Sequence, residues 1–285
     1  MKKELKPLSQ EELGIYLSCS EGGLMYNLPF MVEIKNYSSN DIKKAIKAIF
    51  ESHPSLYTQI IKDQSGDLQK ELVIETLNIP VKKNIDAFSW PKEFDLLNHP
   101  LYRFEIEEDK GKTILFCDFH HILMDGTSIR IFLNELEENL KGKATAKKEN
   151  EAFISGEIEN KERSNKEKYE SSKAFYIKTF GSIDCESLPV FDKKDEKLSY
   201  ATIDYPLNVK VNKVSQFRKK NLIRTSSFFL GVYFKAISLF SGSDEAFFLT
   251  VNNGRETKNK DSLGMFVKSY PIYTKVPDEG TLRVS

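Results

Sequence analysis

The stretch that most constrains how this chain can fold runs from residue 101 to residue 142, where the apolar spacing changes period once. Residues 101–107 and 112–119 read as strands and flank Asp109-Lys110-Gly111, which predicts an antiparallel hairpin. Residues 127–140 then carry Ile129, Phe132, Leu133, Leu136 and Leu140 on one helical stripe, with Gly142 as a stop signal. A hairpin that feeds straight into an amphipathic helix has to lay that helix against its own sheet, because each element has one apolar face to bury. The junction is His120-His121-Ile122-Leu123-Met124-Asp125-Gly126, and it holds two of the four histidines in the chain.

The flanking segments extend the same pattern. Ser9 followed by Glu12 reads as a capping box that opens a short helix through about Cys19. Residues 28–35 place Phe30, Val32 and Ile34 on one side of a strand. Ile42, Ala45, Ile46, Ile49 and Phe50 fall at helical spacing, with Ser39 or Asn40 as cap and Pro54 as terminator. Residues 57–62 and 68–75 flank a turn at 63–67 and predict a second hairpin. From 141 to 173 Lys, Glu and Asn replace apolar residues, which predicts a solvated helix or linker and sets the domain boundary at about residue 170. Beyond it, 200–205 reads as a strand, 211–220 and 226–240 as helices, and 246–251 as a buried strand. The fold class is therefore mixed α/β, of the α+β type, with antiparallel hairpins in place of a regular βαβ series.

Composition narrows the function classes. With 285 residues, 40% of them hydrophobic, the chain has the apolar material for one large or two ordinary cores, so a largely disordered chain is excluded. Forty-two basic residues balance 42 acidic ones, unlike a dedicated nucleic-acid binder, and no nucleic-acid partner is expected. The longest apolar stretch, 228–240, is interrupted by Lys235 and is too short to span a bilayer. Cys19, Cys117 and Cys185 are far apart, which predicts free thiols in a reducing, cytoplasmic setting.

The adjacent histidines admit several chemistries. Neighbouring residues on a strand face opposite sides, so one ring is expected in the core and the other toward a cleft. A strand histidine can also be a packing residue. Divergent side chains without a third close ligand argue against metal. Ser128 stands nearby without a nucleophile-elbow pattern, and no phosphate-cradling loop occurs. Gly126 would allow a sharp turn or a close approach of substrate to backbone.

His120-His121-x-x-x-Asp125-Gly126 resembles the HHxxxDG signature of nonribosomal peptide synthetase condensation domains and their chloramphenicol-acetyltransferase-like relatives. The surroundings are similar too: Leu8-Ser9-Gln10 with Tyr26-Asn27-Leu28-Pro29, residues 50–56 beside the family's RHExLR, and Phe94-Asp95-Leu96 with Pro100-Leu101-Tyr102-Arg103 beside FDL…PLxR. In the second half Thr225–Leu230, Ser241–Asp244, Asn253-Gly254-Arg255 and Leu263–Pro271 resemble the family in the right order. Ser52 and Tyr57 stand where the family has arginines, and Lys268 where it has Asn.

This resemblance implies an acetyltransferase-like lobe over 1–170, with a mixed, largely antiparallel sheet, and part of a second similar lobe over 171–285. The expectation is that the chain is a C-terminally truncated member, because the family's second lobe continues beyond Ser285. The implied reaction joins an acyl or peptidyl thioester, held on a carrier-protein phosphopantetheine, to an acceptor amine. No cofactor or metal is expected on the domain itself, and carrier proteins and neighbouring synthetase domains are the expected partners. His121 is implied as general base or as the group that positions the amine, and Gly126 as backbone near the thioester. His120 is implied as support beneath the loop, and Asp125 as a structural carboxylate paired with Arg255. A free-standing acyltransferase using acyl-coenzyme A or an acyl carrier, with an alcohol or amine acceptor, and a non-catalytic carrier-binding fragment are the alternatives.

Overall fold

The computed structural model describes residues 4–19, 23–109, 112–143, 151–183, 204–206 and 208–275. They belong to two compact units, drawn from Met1–Glu170 with Asn252–Lys268 and from Ser171–Val251 with Ser269–Ser285. Asn252–Lys268 is thus returned to the first unit by its contacts.

The first unit is built on two sheets. One is β2 (Asn27–Ile34), β7 (Lys112–His120), β6 (Tyr102–Asp109) and β5 (Val81–Lys82), in that spatial order. Its first three strands pair antiparallel, and the short β5 pairs parallel to β6. The other joins β1 (Leu5–Pro7), β4 (Leu68–Leu72) and β3 (Thr58–Lys62), all antiparallel. Both expected hairpins form, although residues 110–111 of the turn between β6 and β7 lie outside the described residues.

Two helices, α2 (Ser39–Ser52) and α3 (Gly126–Leu140), pack on each other, and their apolar stripes share one core with the four-stranded sheet. Phe104, Phe119 and Phe132 meet edge-on or stacked with centroids 5.4–6.1 Å apart, and Phe50 joins at 5.9 Å from Phe104. Each such side chain, essentially excluded from solvent, contributes roughly 1.5–3 kcal/mol. The α2 helix begins one residue earlier than its sequence suggests. Ser38 is the cap, because its hydroxyl accepts the Asp41 N–H while Asp41 reaches back to the Ser38 N–H.

The capping box of α1 (Gln10–Ser18) forms as expected between Ser9 and Glu12. Glu12 has a second duty that its spacing does not reveal. Its carboxylate also takes the buried ammonium of Lys70, which donates further to the Ala152 carbonyl and the Ser155 hydroxyl. The buried charge is acceptable because its donors are satisfied. It also overturns part of the linker expectation for 141–173. Ala152 and Phe153 are buried against the first unit, and helices α4 (Ser155–Arg163) and α5 (Lys166–Phe180) follow. The α5 helix does match the expected solvated face, with no residue buried.

In the second unit α6 (Val211–Asn221) and α7 (Thr225–Ser241) form where helical spacing placed them. The strand expected at 246–251 forms as β8 (Glu245–Asn252), paired with β9 (Lys268–Lys275), but it is not a buried strand. Only Ala246 is buried, with Phe234 and Ile237 of α7, while Leu249 and Val251 are exposed. A two-stranded ribbon with one helix against it has one face left to solvent. Residues 200–203 of the strand expected at 200–205 lie outside the described residues, and Asp204 and Tyr205 are in no strand.

Candidate functional site

The site begins with β7. Strand alternation places Cys117 and Phe119 on the side of the helical core. Phe116, Asp118 and His120 point the other way and are also buried, because residues 88–95 cover that face. Trp90 lies 5.5 Å from Phe116 and Phe94 lies edge-on to His120 at 5.8 Å. His120 is thus the buried ring of the pair, although residues 88–95 and not the helical core enclose it. His120 is the last strand residue, and the Leu123 N–H to His120 carbonyl bond of 2.8 Å closes a turn over the next residues. His121 belongs to that turn, where its N–H is taken by the Tyr26 carbonyl at 2.8 Å.

The two rings have different surroundings. His120 is 4% exposed, and burial, helped by its neighbour His121, lowers its pKa to about 4. It is a neutral ring at any ordinary pH. His121 is only partly buried, but its Nδ1 is buried and has no hydrogen-bond partner among the described residues.

Behind the turn, Asp125 is the N-cap of α3 and is wholly buried. Its Oδ1 accepts the Ser128 N–H at 2.8 Å. Its Oδ2 accepts Nη1 of Arg255 at 2.6 Å and the N–H of Phe266 at 3.1 Å. The Arg255 side chain is 3% exposed, with its guanidinium 4.7 Å above the Phe266 ring. Its Nη2 donates to the Ser128 hydroxyl at 2.7 Å and to the Ser262 carbonyl at 3.2 Å. The same hydroxyl donates to the Gly264 carbonyl at 2.8 Å and accepts the Gly264 N–H at 2.9 Å. Asp125, Ser128 and Arg255 therefore pin the segment 253–266 to the start of α3, with nearly every polar atom used.

Gly126 does not turn the chain sharply. It is the first residue of α3, outside the positive-φ set, and a Cβ there would meet nothing within 4 Å. It leaves open space at the helix start. Gly254 is the strained position: its φ is +61°, and a Cβ would lie 1.7 Å from the Phe266 carbonyl oxygen.

A third cluster supports residues 88–95. Asn27 donates to Asp118 at 2.7 Å and to the Lys92 carbonyl at 2.9 Å. Arg103 donates to the Lys92 and Glu93 carbonyls and to Asp118, and its guanidinium lies 4.1 Å from the Phe94 ring centroid. Burial holds the Asp118 carboxyl above the ordinary carboxylate range.

For four residues the sequence does not reveal the contacts they make at the site. Ser128 had a findable signal, since it stands three positions after the cap, where an N-cap carboxylate finds its N–H. Asn27 and Asp118 reach the site through pairing of β2 with β7, and Cys19, whose Sγ lies 3.6 Å from Nε2 of His120, reaches it from the end of α1; no local spacing encodes either. Among the described residues no group of three or more His, Cys, Asp and Glu side chains gathers as a metal site requires. No single described helix is long and apolar enough to cross a membrane.

The model of the condensation domain family matches residues 8–283. A plipastatin synthase subunit of Bacillus subtilis (strain 168) is 26% identical over 98% of the chain, which spans 11% of that protein. Bacitracin synthase 3 of Bacillus licheniformis is 30% identical over half of the chain, matching 2% of its own length. Among solved structures, the first condensation domain of the CDA synthetase superposes with a TM-score of 0.72 at 16% identity, covering 97% of this chain and 72% of that one. The epimerization domain from the third module of tyrocidine synthetase B superposes at 0.75 and 15%, covering 96% and 69%. The chain spans about a tenth of the curated peptide synthases that match along nearly all of it. Its mixed α/β fold is that of the solved condensation domains, and with the family model matching from residue 8 to residue 283 the chain belongs to the condensation domain family.

Proposed function

We propose that this chain catalyses amide formation in nonribosomal peptide synthesis, joining a carrier-bound acyl or peptidyl thioester to the amine of a second carrier-bound substrate. The fold alone does not carry this reading, since an epimerization domain shares it. The observation that carries it is the His120–Gly126 loop, fixed by Asp125 and Arg255 and presenting His121, within a chain that matches the family model over nearly its full length.

In this reaction the amine nitrogen attacks the thioester carbonyl. A C–N bond forms, the C–S bond breaks, and the proton lost by the amine ends on the departing thiolate. A thioester is already activated toward amines, so holding the two reactants in contact supplies much of the acceleration. His121 would take the N–H of the attacking amine in a hydrogen bond. Its Nδ1 has no carboxylate or carbonyl partner among the described residues, unlike bases whose second ring nitrogen is oriented by an acceptor. The reading is therefore a positioning and charge-stabilising role for His121, with Gly126 leaving room for the thioester at the start of α3. The phosphopantetheine arms belong to the carriers, which with neighbouring synthetase domains in the cytoplasm are the partners. Residues 1–170 and 171–285 belong in this reading to two successive acetyltransferase-like lobes.

The test uses the native gene product that contains this chain, with donor and acceptor carriers loaded with defined aminoacyl groups. Intact-mass measurement of the acceptor carrier shows dipeptide formation, and His121→Ala slows it by about a hundredfold or more. Turnover with acyl-coenzyme A and an alcohol, and none between carriers, overturns the proposal.

A further inference from the structure

His120 ends its strand with two polar contacts, and together they fix where its proton sits. The backbone N–H of Ile122 points at Nδ1 at 3.3 Å. An amide N–H only donates, so Nδ1 must present its lone pair. In a neutral imidazole the proton is then on Nε2. Nε2 lies 3.6 Å from the sulfur of Cys19, a residue 101 positions away that ends α1. The Nε2–H therefore donates to Cys19 Sγ. The rest of the ring is enclosed by Phe94, edge-on at 5.8 Å, and Tyr26 at 6.4 Å.

The electrostatics agree with a neutral pair. Burial pushes the Cys19 thiol up and the His120 imidazole down, which favours the neutral thiol and neutral imidazole over a thiolate–imidazolium pair. What the pair does is geometric. His120 is the hinge of the turn that carries His121: its carbonyl accepts the Leu123 N–H and its ring accepts the Ile122 N–H. A ring held in one tautomer keeps that second bond, and with it the peptide plane from which His121 projects.

We propose that Cys19 is a positioning residue for the transfer reaction, its sulfur accepting the Nε2–H of His120 so that the 120–123 turn holds His121 in one direction. This rests on the proposed role of His121, and it adds a residue of α1 to the machinery.

The experiment is nitrogen-15 NMR of the full chain with labelled histidine, read alongside turnover of the native gene product. The wild-type His120 should show a protonated Nε2 and an unprotonated Nδ1, unchanged between pH 5.5 and 8. In Cys19→Ala, which offers no acceptor, the His120 signals should move toward a mixture of tautomers and the His121 signals should shift with them. Turnover should drop about tenfold in kcat with KM within twofold. Cys19→Ser, whose hydroxyl oxygen accepts in place of sulfur, should return the wild-type tautomer and most of the turnover. If Cys19→Ala does not fold, the wild-type tautomer and the serine variant still decide the matter. A wild-type His120 protonated on Nδ1, or an alanine variant with unaltered histidine signals and kcat, overturns the proposal. Absence of amide formation by the wild type bears on the proposed function alone, because the tautomer is read without turnover.

Discussion

The carboxylate of Asp125 holds Arg255 at 2.6 Å across 130 positions of sequence while its other oxygen caps the helix that Asp125 begins. Neither duty is separable from the other. The cap fixes the carboxylate plane, and that plane presents Oδ2 to the guanidinium. The pair is nearly solvent-free, so removing one partner leaves a buried charge that neither water nor another side chain neutralises. Such losses cost about 3–5 kcal/mol, whereas removing both charges costs much less than the sum.

Asp125→Ala and Arg255→Ala should each lower the unfolding free energy by about 3–5 kcal/mol. The double variant should recover part of that loss, as urea denaturation would measure. A folded and fully stable Asp125→Ala that lacks turnover would show that the carboxylate acts on substrate instead.

Two glycines in the same region separate backbone strain from substrate room. Gly254→Ala forces a side chain into a left-handed conformation and into the Phe266 carbonyl. It should cost at least about 1–3 kcal/mol and release the Arg255 arm. Gly126→Ala meets nothing and starts a helix, so its melting temperature should stay within a few degrees of wild type. If the thioester lies against this position, Gly126→Ala should still lose most of its turnover. Stability and turnover measured on both variants make the contrast, and equal damage to stability would refute it.

The pattern of these contacts explains what was readable beforehand. Local periodicity revealed α2, α3, both hairpins and the helices of the second unit, because each buries one face at a regular spacing. Strand alternation does not set the direction of His121. The strand ends at His120, one residue beyond its apolar run, so His121 lies in the turn, and residues 88–95 bury the face that alternation leaves free. Residues 88–95 carry no regular spacing, and neither do Asn27, Asp118 and Arg103 that hold them, so nothing periodic announces them. For β8 the apolar run overstated burial, since composition cannot say how many strands a sheet will have. Asp125 and Arg255 were legible only through family resemblance. Their separation leaves no trace in spacing.

Acid should weaken the fold through His120. Its folded pKa is about 4 against an ordinary 6.5, so between these values the unfolded chain binds more protons. Stability therefore falls as pH drops through that window, by about 1.4 kcal/mol per unit and about 3 kcal/mol in all. Asp118 has the opposite sign. Burial raises its folded pKa above 3.8, so acid favours the folded carboxyl and offsets part of the loss at the low end. Urea unfolding from pH 7 to pH 4.5 should show the decline in wild type. His120→Phe, which keeps the ring packing without the titrating group, should flatten it, and an unchanged slope would assign the acid sensitivity elsewhere.

The role of His121 can be divided by choice of substitute. Gln places an amide oxygen near the position of Nε2, where it accepts a hydrogen bond but takes no proton at neutral pH. A positioning group is partly replaced by such an acceptor, and a general base is not. General-base catalysis is worth about 10²–10⁴ in rate. If His121 is the base, His121→Gln and His121→Ala should both fall by that factor and be indistinguishable. Because its Nδ1 is buried without an acceptor among the described residues, the expected result is different. His121→Ala should lose about a hundredfold or more in kcat, and His121→Gln should stand at least tenfold above it. Single-turnover transfer between loaded carriers measures both, and it reads the chemical step apart from carrier release.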